Sequence, residues 1–216
     1  MDGVFAVYKT KGISSFAVVA KIRRALKIKK VGHGGTLDPL ATGVLVIGVG
    51  RTATKKLFSE TENKEKEYLA KLFLGQVSST DDVEGEKSQI SNYQPNLIEI
   101  KKILKFFIGQ IKQTPPKFSA IKIKGKRAYQ LAREGKSIEL KPRIITIKKI
   151  ELINYQYPIL EIKVLTGPGC YIRSLARDLG ERLGVGAYLW ELERIRDGNF
   201  TLTDCLDLDK ICLKKN

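Results

Sequence analysis

"RIITIKKIELINY" (143–155) and "PILEIKVLTG" (158–167) stand two residues apart, and each mixes apolar with polar side chains at near-alternate positions. Strand side chains point to opposite faces with a period of two, so each segment reads as a strand with one apolar face, and the two can pair antiparallel. Further strands flank them: "GVFAVYKT" (3–10), the buried run "GVLVIGVG" (43–50), "KEYLAKLFLG" (66–75) with Tyr68, Ala70, Leu72 and Leu74 on one face, a short "FSAIKIKG" (118–125), and the strand-like "AYLWELERIRDGNF" (187–200).

Helical spacing marks other segments. Ser14 or Ser15 can cap a helix running to about Ile28, with Val18, Ile22 and Leu26 on its buried side and a basic outer side. "LIEIKKILKFFIGQI" (97–111) reads as a helix stopped by "TPPK" (114–117), and "KRAYQLAREG" (126–135) as a short helix ending on Gly135. "YIRSLARDLGERLG" (171–184) reads as a helix closed by Gly184, and the tail as a last helix or turn. "QVSSTDDVEGEKSQISNYQP" (76–95) is polar and reads as a loop or insertion. Strands and helices do not alternate regularly. This predicts an α+β fold around a mixed, mainly antiparallel central sheet flanked by helices, rather than a doubly wound parallel one. No repeat or composition shift divides the 216 residues, so one domain over 1–216 is expected, with a polar insertion near 76–96.

The chain carries 39 Lys and Arg against 23 Asp and Glu, a net charge of +16. Such an excess suits a polyanionic partner, nucleic acid or an anionic surface, with general lysine richness as the alternative. Residues 101–149 hold fifteen Lys or Arg against two Glu, interleaved with apolar residues. That pattern favours a structured phosphate-binding surface over a solvated tail. The longest strongly apolar run is too short to span a bilayer, and the N-terminus lacks a signal peptide's features, so a cytoplasmic protein is expected. Three cysteines (Cys170, Cys205, Cys212) with no C-x-x-C pair suggest neither a disulfide framework nor a zinc site, and one histidine excludes a multi-histidine metal site.

That histidine, His33, lies in "VGHGGTLDPLATGVLVIGVG" (31–50) with a single acid, Asp38, between Leu37 and Pro39. Gly32, Gly34 and Gly35 leave the backbone free for unusual dihedrals or close ligand approach, and Pro39 pushes Asp38 to an extended conformation. Asp38 should then sit on a constrained loop at the mouth of a sheet. From the residues alone, a functional aspartate and a turn aspartate before proline fit equally well.

"GHGGTLDPLATGVLVIGVGRTATK" (32–55) resembles the signature of the TruB family of tRNA pseudouridine synthases. Four more blocks follow the family's order: "YKTKGISSF" (8–16), "KEYLAKLFLG" with "SSTDDVEGE" (78–86), "QTPPKFSAIKIKGKRAYQLAREG" (113–135), and "GPGCYIRSLARDLGERLGVGAYLWEL" (167–192). Together they span most of Val4 to Phe200. The resemblance implies an enzyme, a pseudouridine synthase fold, and isomerisation of uridine-55 in the T-loop of tRNA, with no cofactor and no metal.

The resemblance also implies roles. Asp38 is the nucleophile, attacking either the sugar's anomeric carbon or the uracil ring. A free aspartate titrates near pH ~4, so it is ionised at neutral pH without an activating base. Arg173 matches the arginine that pairs with this carboxylate, a job its bidentate fork suits, although alone it reads as an exposed helix cation. Tyr68 matches an active-site tyrosine that can stack on an extruded base and help move the ring proton; alone it reads equally as a core aromatic. Tyr171 and Leu192 match uracil-pocket positions, Lys9 a lysine near the site with a plain surface lysine as alternative, and His33 a histidine packing against RNA beside the flipped nucleotide. Asp82, next to Asp81, matches an aspartate near bound RNA, with a solvated loop as alternative. Within the basic stretch, Lys122 and Arg127 are expected RNA contacts that help grip the T-arm.

The sequence departs from the family pattern at Thr10 (usually proline), Cys170 (threonine), Tyr188 (histidine) and Glu193 (a basic residue). Many members carry a C-terminal PUA-type RNA-binding domain, which is not expected here. A monomer acting on tRNA, without membrane association, is expected. The alternative is a non-catalytic RNA-binding or tRNA-folding module on the same fold, which would have no need of Asp38, Tyr68 and Arg173 together. A guide-RNA-directed synthase and an unrelated Asp38 hydrolase fit less well; no G-x-S-x-G elbow supports the latter.

Overall fold

The structure is a computed structural model and describes residues 2–61, 64–123, 125–136 and 138–213, with the side chains of Phe58, Cys212 and Leu213 outside the description. In chain order the elements are β1 (Gly3–Lys9), α1 (Ser15–Leu26), β2 (Val31–His33), β3 (Thr42–Val49), α2 (Arg51–Thr61), β4 (Lys66–Leu74), β5 (Gln76–Ser78), β6 (Lys87–Gln89), α3 (Leu97–Phe106) and β7 (Gly109–Gln113). There follow β8 (Lys122–Ile123), β9 (Lys126–Arg127), α4 (Ala128–Arg133), β10 (Arg143–Gln156), β11 (Ile159–Thr166), α5 (Ile172–Leu183), β12 (Ala187–Asp197), β13 (Phe200–Thr201), β14 (Cys205–Leu206) and α6 (Leu208–Leu213). The architecture is α+β, with ten strands in one mixed, mainly antiparallel sheet and helices beside it. No helix among the described residues is long and apolar enough to cross a membrane.

The chain divides into two compact units, one of Met1–Leu69, Val164–Pro168 and Glu191–Asn216, the other of Ala70–Lys163 and Gly169–Trp190. Three of the four boundaries fall inside strands β4, β11 and β12. No linker marks them, which is why composition alone shows no division.

In the first unit, β3 is the central strand. Val44 to Ile47 and Val49 are fully buried, as expected of an uninterrupted apolar run covered on both faces. It pairs antiparallel with β1 from Gly3↔Val49 to Lys9↔Gly43, antiparallel with β2 at His33↔Ile47, and parallel with β12 at Glu193↔Thr42 and Arg194↔Gly43. The last pairing demands glycine: Gly43 has φ 103°, and a Cβ there would stand 2.2 Å from the Arg194 carbonyl oxygen. β14 adds to β1 in parallel. α2 packs on β3 and supplies Leu57 to a cluster with Ala6, Val44 and Val46. α1 starts at Ser14, whose side chain accepts from the Ala17 amide, and buries Val18, Val19 and Ile22. Each such side chain contributes roughly 1.5–3 kcal/mol on burial.

In the second unit, Ala70, Leu72 and Leu74 of β4 and Leu160 and Ile162 of β11 are buried at alternate positions, as their spacing predicts. α5 buries Leu175, Ala176 and Leu179 and ends on Gly184 at φ 73°. α3 begins with an Asn96–Glu99 capping box but ends at Phe106, not at Ile111 as its apolar spacing suggests. Gly109, at φ 108°, breaks the helical path, and Gly109–Gln113 pairs antiparallel with β10 instead. The expected polar loop over 76–95 also differs, since β5 and β6 pair within it as a hairpin. The strand expected over 118–125 shrinks to β8, paired with β9.

Candidate active site

Asp38 sits half-buried on the loop joining β2 to β3, between buried Leu37 and Leu40. Its carbonyl accepts from the Ala41 amide at 3.0 Å, a turn with Pro39 at the position where its fixed φ is favoured. The backbone around it is gripped at four points. At the base, the Arg194 guanidinium donates to the Gly35 carbonyl at 3.1 Å and the Val44 carbonyl at 2.8 Å. One residue before Asp38, the buried Ser15 hydroxyl donates to the Leu37 carbonyl at 2.9 Å and accepts from the Leu37 amide at 2.8 Å. One residue after it, the Lys9 ammonium donates to the Pro39 carbonyl at 3.3 Å, and also to those of Ile13 at 2.8 Å and Thr10 at 3.0 Å.

Lys9 is therefore no surface lysine. It is fully buried, and that burial pushes its ammonium down to about 8, with the Asp38 carboxylate opposing the fall. Arg194 is also fully buried, and Asp197 faces it at 3.4 Å and Lys66 at 3.0 Å. Gly34 and Gly35 have no left-handed φ. At Gly34 the need for glycine is spatial, since a Cβ there would stand 2.4 Å from the Thr61 side chain, whereas one on Gly35 would meet Arg194 at an ordinary contact distance of 3.4 Å. His33 precedes this loop on β2, with Nδ1 buried and unbonded among the described residues. Burial, then the Arg194 charge, lowers its pKa below 6.5, so its imidazole is neutral at pH 7. Tyr68 and Leu192 are both buried, Leu192 accepting from the Thr42 hydroxyl at 3.4 Å through its carbonyl. Glu193, where the family commonly has a basic residue, accepts from the Tyr8 hydroxyl at 2.8 Å.

The second unit holds Arg173 on the first turn of α5, 5% exposed rather than free in solvent. It donates to the Phe118 carbonyl at 3.0 Å and faces Asp82 at 3.4 Å. Asp82 is buried, so the solvated-loop alternative fails; its carboxylate accepts from the Thr80 hydroxyl at 2.5 Å and the Glu84 amide at 3.0 Å. Asp81, at φ 63°, pairs with Arg177 at 2.8 Å. Tyr171, just before Arg173, is clamped as Leu37 is: the Gln113 side-chain oxygen accepts its amide at 2.9 Å and the Gln113 nitrogen donates to its carbonyl at 3.1 Å. Tyr188, where the family usually has histidine, stacks on Phe73 at 5.3 Å under the Lys87 ammonium. Cys170 keeps its thiol proton at neutral pH, because burial pushes it up to about 12. Lys122 and Arg127 are exposed and directly opposite on the β8–β9 hairpin, a like-charge pairing that an anion would relieve.

Ser15, Gln113, Arg194, Asp197 and Lys66 escaped the sequence reading. Arg194 carried a signal: it lies two residues from Leu192 on a strand, at an inward position where a charge needs partners.

Comparison with known proteins supplies the context. The family model for the TruB family pseudouridylate synthase (N terminal domain) matches residues 23–172. A protein named tRNA pseudouridine synthase B from Protochlamydia amoebophila (strain UWE25) is 45% identical over 207 residues, covering 96% of this chain and 78% of the relative. One of the same name from Clostridium tetani (strain Massachusetts / E88) is 46% identical over 212 residues, covering 98% and 73%. Among solved structures, a chain in the crystal structure of a Cbf5-Nop10-Gar1 complex superposes with a TM-score of 0.74 at 31% identity, over 96% of this chain and 52% of that one.

Proposed function

The chain belongs to the TruB family of pseudouridylate synthases, and from that premise we propose that it is a tRNA pseudouridine(55) synthase, an isomerase acting on the T-loop uridine. The observation that carries this reading is the Asp38 loop, whose backbone is fixed at Gly35, Leu37, Pro39 and Val44 by buried donors. A carboxylate held this way meets a reacting carbon without having to order its own loop first.

In the reaction the bond from the ribose anomeric carbon to N1 of uracil breaks, the base turns, and a bond to C5 forms. The C5 proton leaves, and N1 takes one up. Electrons balance without an oxidant or reductant. Asp38 is the nucleophile, at the anomeric carbon or the ring, and is ionised at neutral pH. Tyr68 stacks on the extruded base and assists the C5 proton. Arg173, fixed by Asp82 and Phe118, serves as the carboxylate's charge partner as the family pattern assigns it. Tyr171 and Leu192 line the uracil pocket, and His33 packs as a neutral ring beside the flipped nucleotide. Lys9 anchors the loop. Unstacking the uridine costs a few kcal/mol, offset by phosphate contacts; Lys122 and Arg127 supply part of these, while Asp82, beside the bound RNA, holds Arg173 in place. The enzyme works in the cytoplasm as a monomer and needs no cofactor or metal.

The test is tritium release from tRNA transcript labelled at uracil C5. Release of a single tritium per tRNA, abolished when uridine-55 is replaced by cytidine, is the expected result. Undiminished release from the replaced transcript would move the target elsewhere.

A further inference from the structure

We propose that the outward face of α1 docks the phosphate backbone of substrate RNA at a segment beyond the nucleotide handled at Asp38. The proposal rests on the tRNA reading above.

Between Asp2 and Asp38 the sequence has no acid and eight Lys or Arg. α1 turns Ser15, Val18, Val19 and Ile22 inward, so Lys21 and Arg24 fall on the outward side with Ala17 and Ala20 beside them. Lys27, the C-cap at φ 55°, and then Lys29 and Lys30 extend the strip, all exposed. Arg23 is occupied, donating to the Val31 carbonyl at 2.6 Å and lying over the Phe16 ring at 5.7 Å. Phe16 itself is 64% exposed at the start of the strip. The other five cations have no ion pair among the described residues. α6 packs on α1 and brings Asp207 and Asp209, but Asp207 is engaged in capping α6, accepting from the Asp209 amide at 2.8 Å.

This arrangement costs stability. Lys21 and Arg24 are spaced i,i+3 with Lys27 directly after the helix, and like charges so close on a helix are mutually unfavourable. A polyanion removes that cost. The strip rises ~1.5 Å per residue, so Lys21 to Lys27 spans about 9 Å, enough for roughly three phosphates of one strand. The two alanines leave room for a backbone to approach. An anionic membrane fits less well, because a surface-binding helix inserts its apolar face and that of α1 is already buried.

The direction of the strip sets which RNA it holds. Ser15, which grips Leu37 next to Asp38, lies on the opposite side of α1. A helix with side chains is about 10 Å thick, so a phosphate on Lys21 or Arg24 stands roughly that far from the catalytic loop. The proposal assigns that phosphate to RNA outside the T-arm, which an isolated T-arm hairpin does not supply.

The test is the triple variant Lys21→Ala, Arg24→Ala, Lys27→Ala, with filter binding of full-length tRNA transcript and of the isolated T-arm hairpin between about 50 and 200 mM salt. Full-length tRNA should bind about tenfold or more weakly at low salt, with the log–log salt slope reduced by about 2 to 3. Hairpin affinity and tritium release from the hairpin should be unchanged, which also shows the variant folded. Unchanged affinity and slope for full-length tRNA would overturn the proposal. So would equal losses on tRNA and hairpin, which would place α1 in the T-arm grip. Wild-type tRNA affinity with lost binding to phosphatidylserine-containing vesicles would reassign the face to a membrane. If the wild type itself neither bound tRNA nor released tritium, the tRNA reading would fall first.

Discussion

The Ser15 hydroxyl holds both backbone polar groups of Leu37, donating to its carbonyl at 2.9 Å and accepting from its amide at 2.8 Å, one residue before Asp38. Both residues are nearly inaccessible to water, at 2% and 3% exposure. Ser15→Ala strands a buried donor and a buried acceptor. Leaving such groups unsatisfied costs on the order of 1–3 kcal/mol. The looser loop should slow single-turnover release about tenfold, while tRNA affinity stays within about twofold. Ser15→Thr should recover part of the rate. Equal losses in affinity and rate would instead mark Ser15 as purely structural.

Lys9 makes stability depend on pH. Its ammonium titrates at about 8 in the fold, against 10.5 as its ordinary value. Between those values the unfolded chain holds a proton that the folded chain lacks, so stability rises with pH, by at most about 1.4 kcal/mol per unit. Lys9→Met should remove that slope. Urea unfolding of both proteins from pH ~7.5 to ~9.5 checks this, and parallel profiles would contradict the buried-lysine account.

His33 has the opposite functional expectation from a catalytic histidine. With its pKa lowered by burial and by Arg194, its ring is uncharged near neutrality. Below pH 6.5 the unfolded chain protonates first, so stability falls as pH drops through that window. His33→Gln should leave the shape of the kcat–pH profile unchanged from pH ~6.5 to ~8 and raise KM. A lost acidic or basic limb would make His33 an acid or base.

Asp197 lies fully buried between Lys66 and Arg194. Asp197→Asn leaves two cations facing a neutral amide. Breaking a buried pair in this way costs about 3–5 kcal/mol. Denaturant midpoints should fall accordingly, and a loss under about 1 kcal/mol would show the network to be solvent-screened.

Much of this was legible. The period-two alternation of β4 and β11 and the 3.6-residue spacing of α5 with Gly184 appear as read, because one face of each meets the core. The segment after Phe106 was not legible: Ile108 and Ile111 continue a helical spacing, and only Gly109 and the partner strand β10 decide against it. In the site, Asp38 stood out by its setting, and Arg173 by family pattern. The supports did not. A serine at 15 beside the true N-cap Ser14, or a glutamine at 113 before two prolines, shows nothing of the backbone it holds until distant segments meet. The lysine at 9 was placed near the site by family pattern alone; its residue type reads as surface because burying an ammonium is costly, and three carbonyls offset that cost.

The most direct measurement is tritium release from C5-labelled tRNA by wild type and by Asp38→Asn, with filter binding of both. The account predicts release by wild type alone, with both proteins binding tRNA. Release by Asp38→Asn at the wild-type rate, or binding by both without release by either, would contradict it.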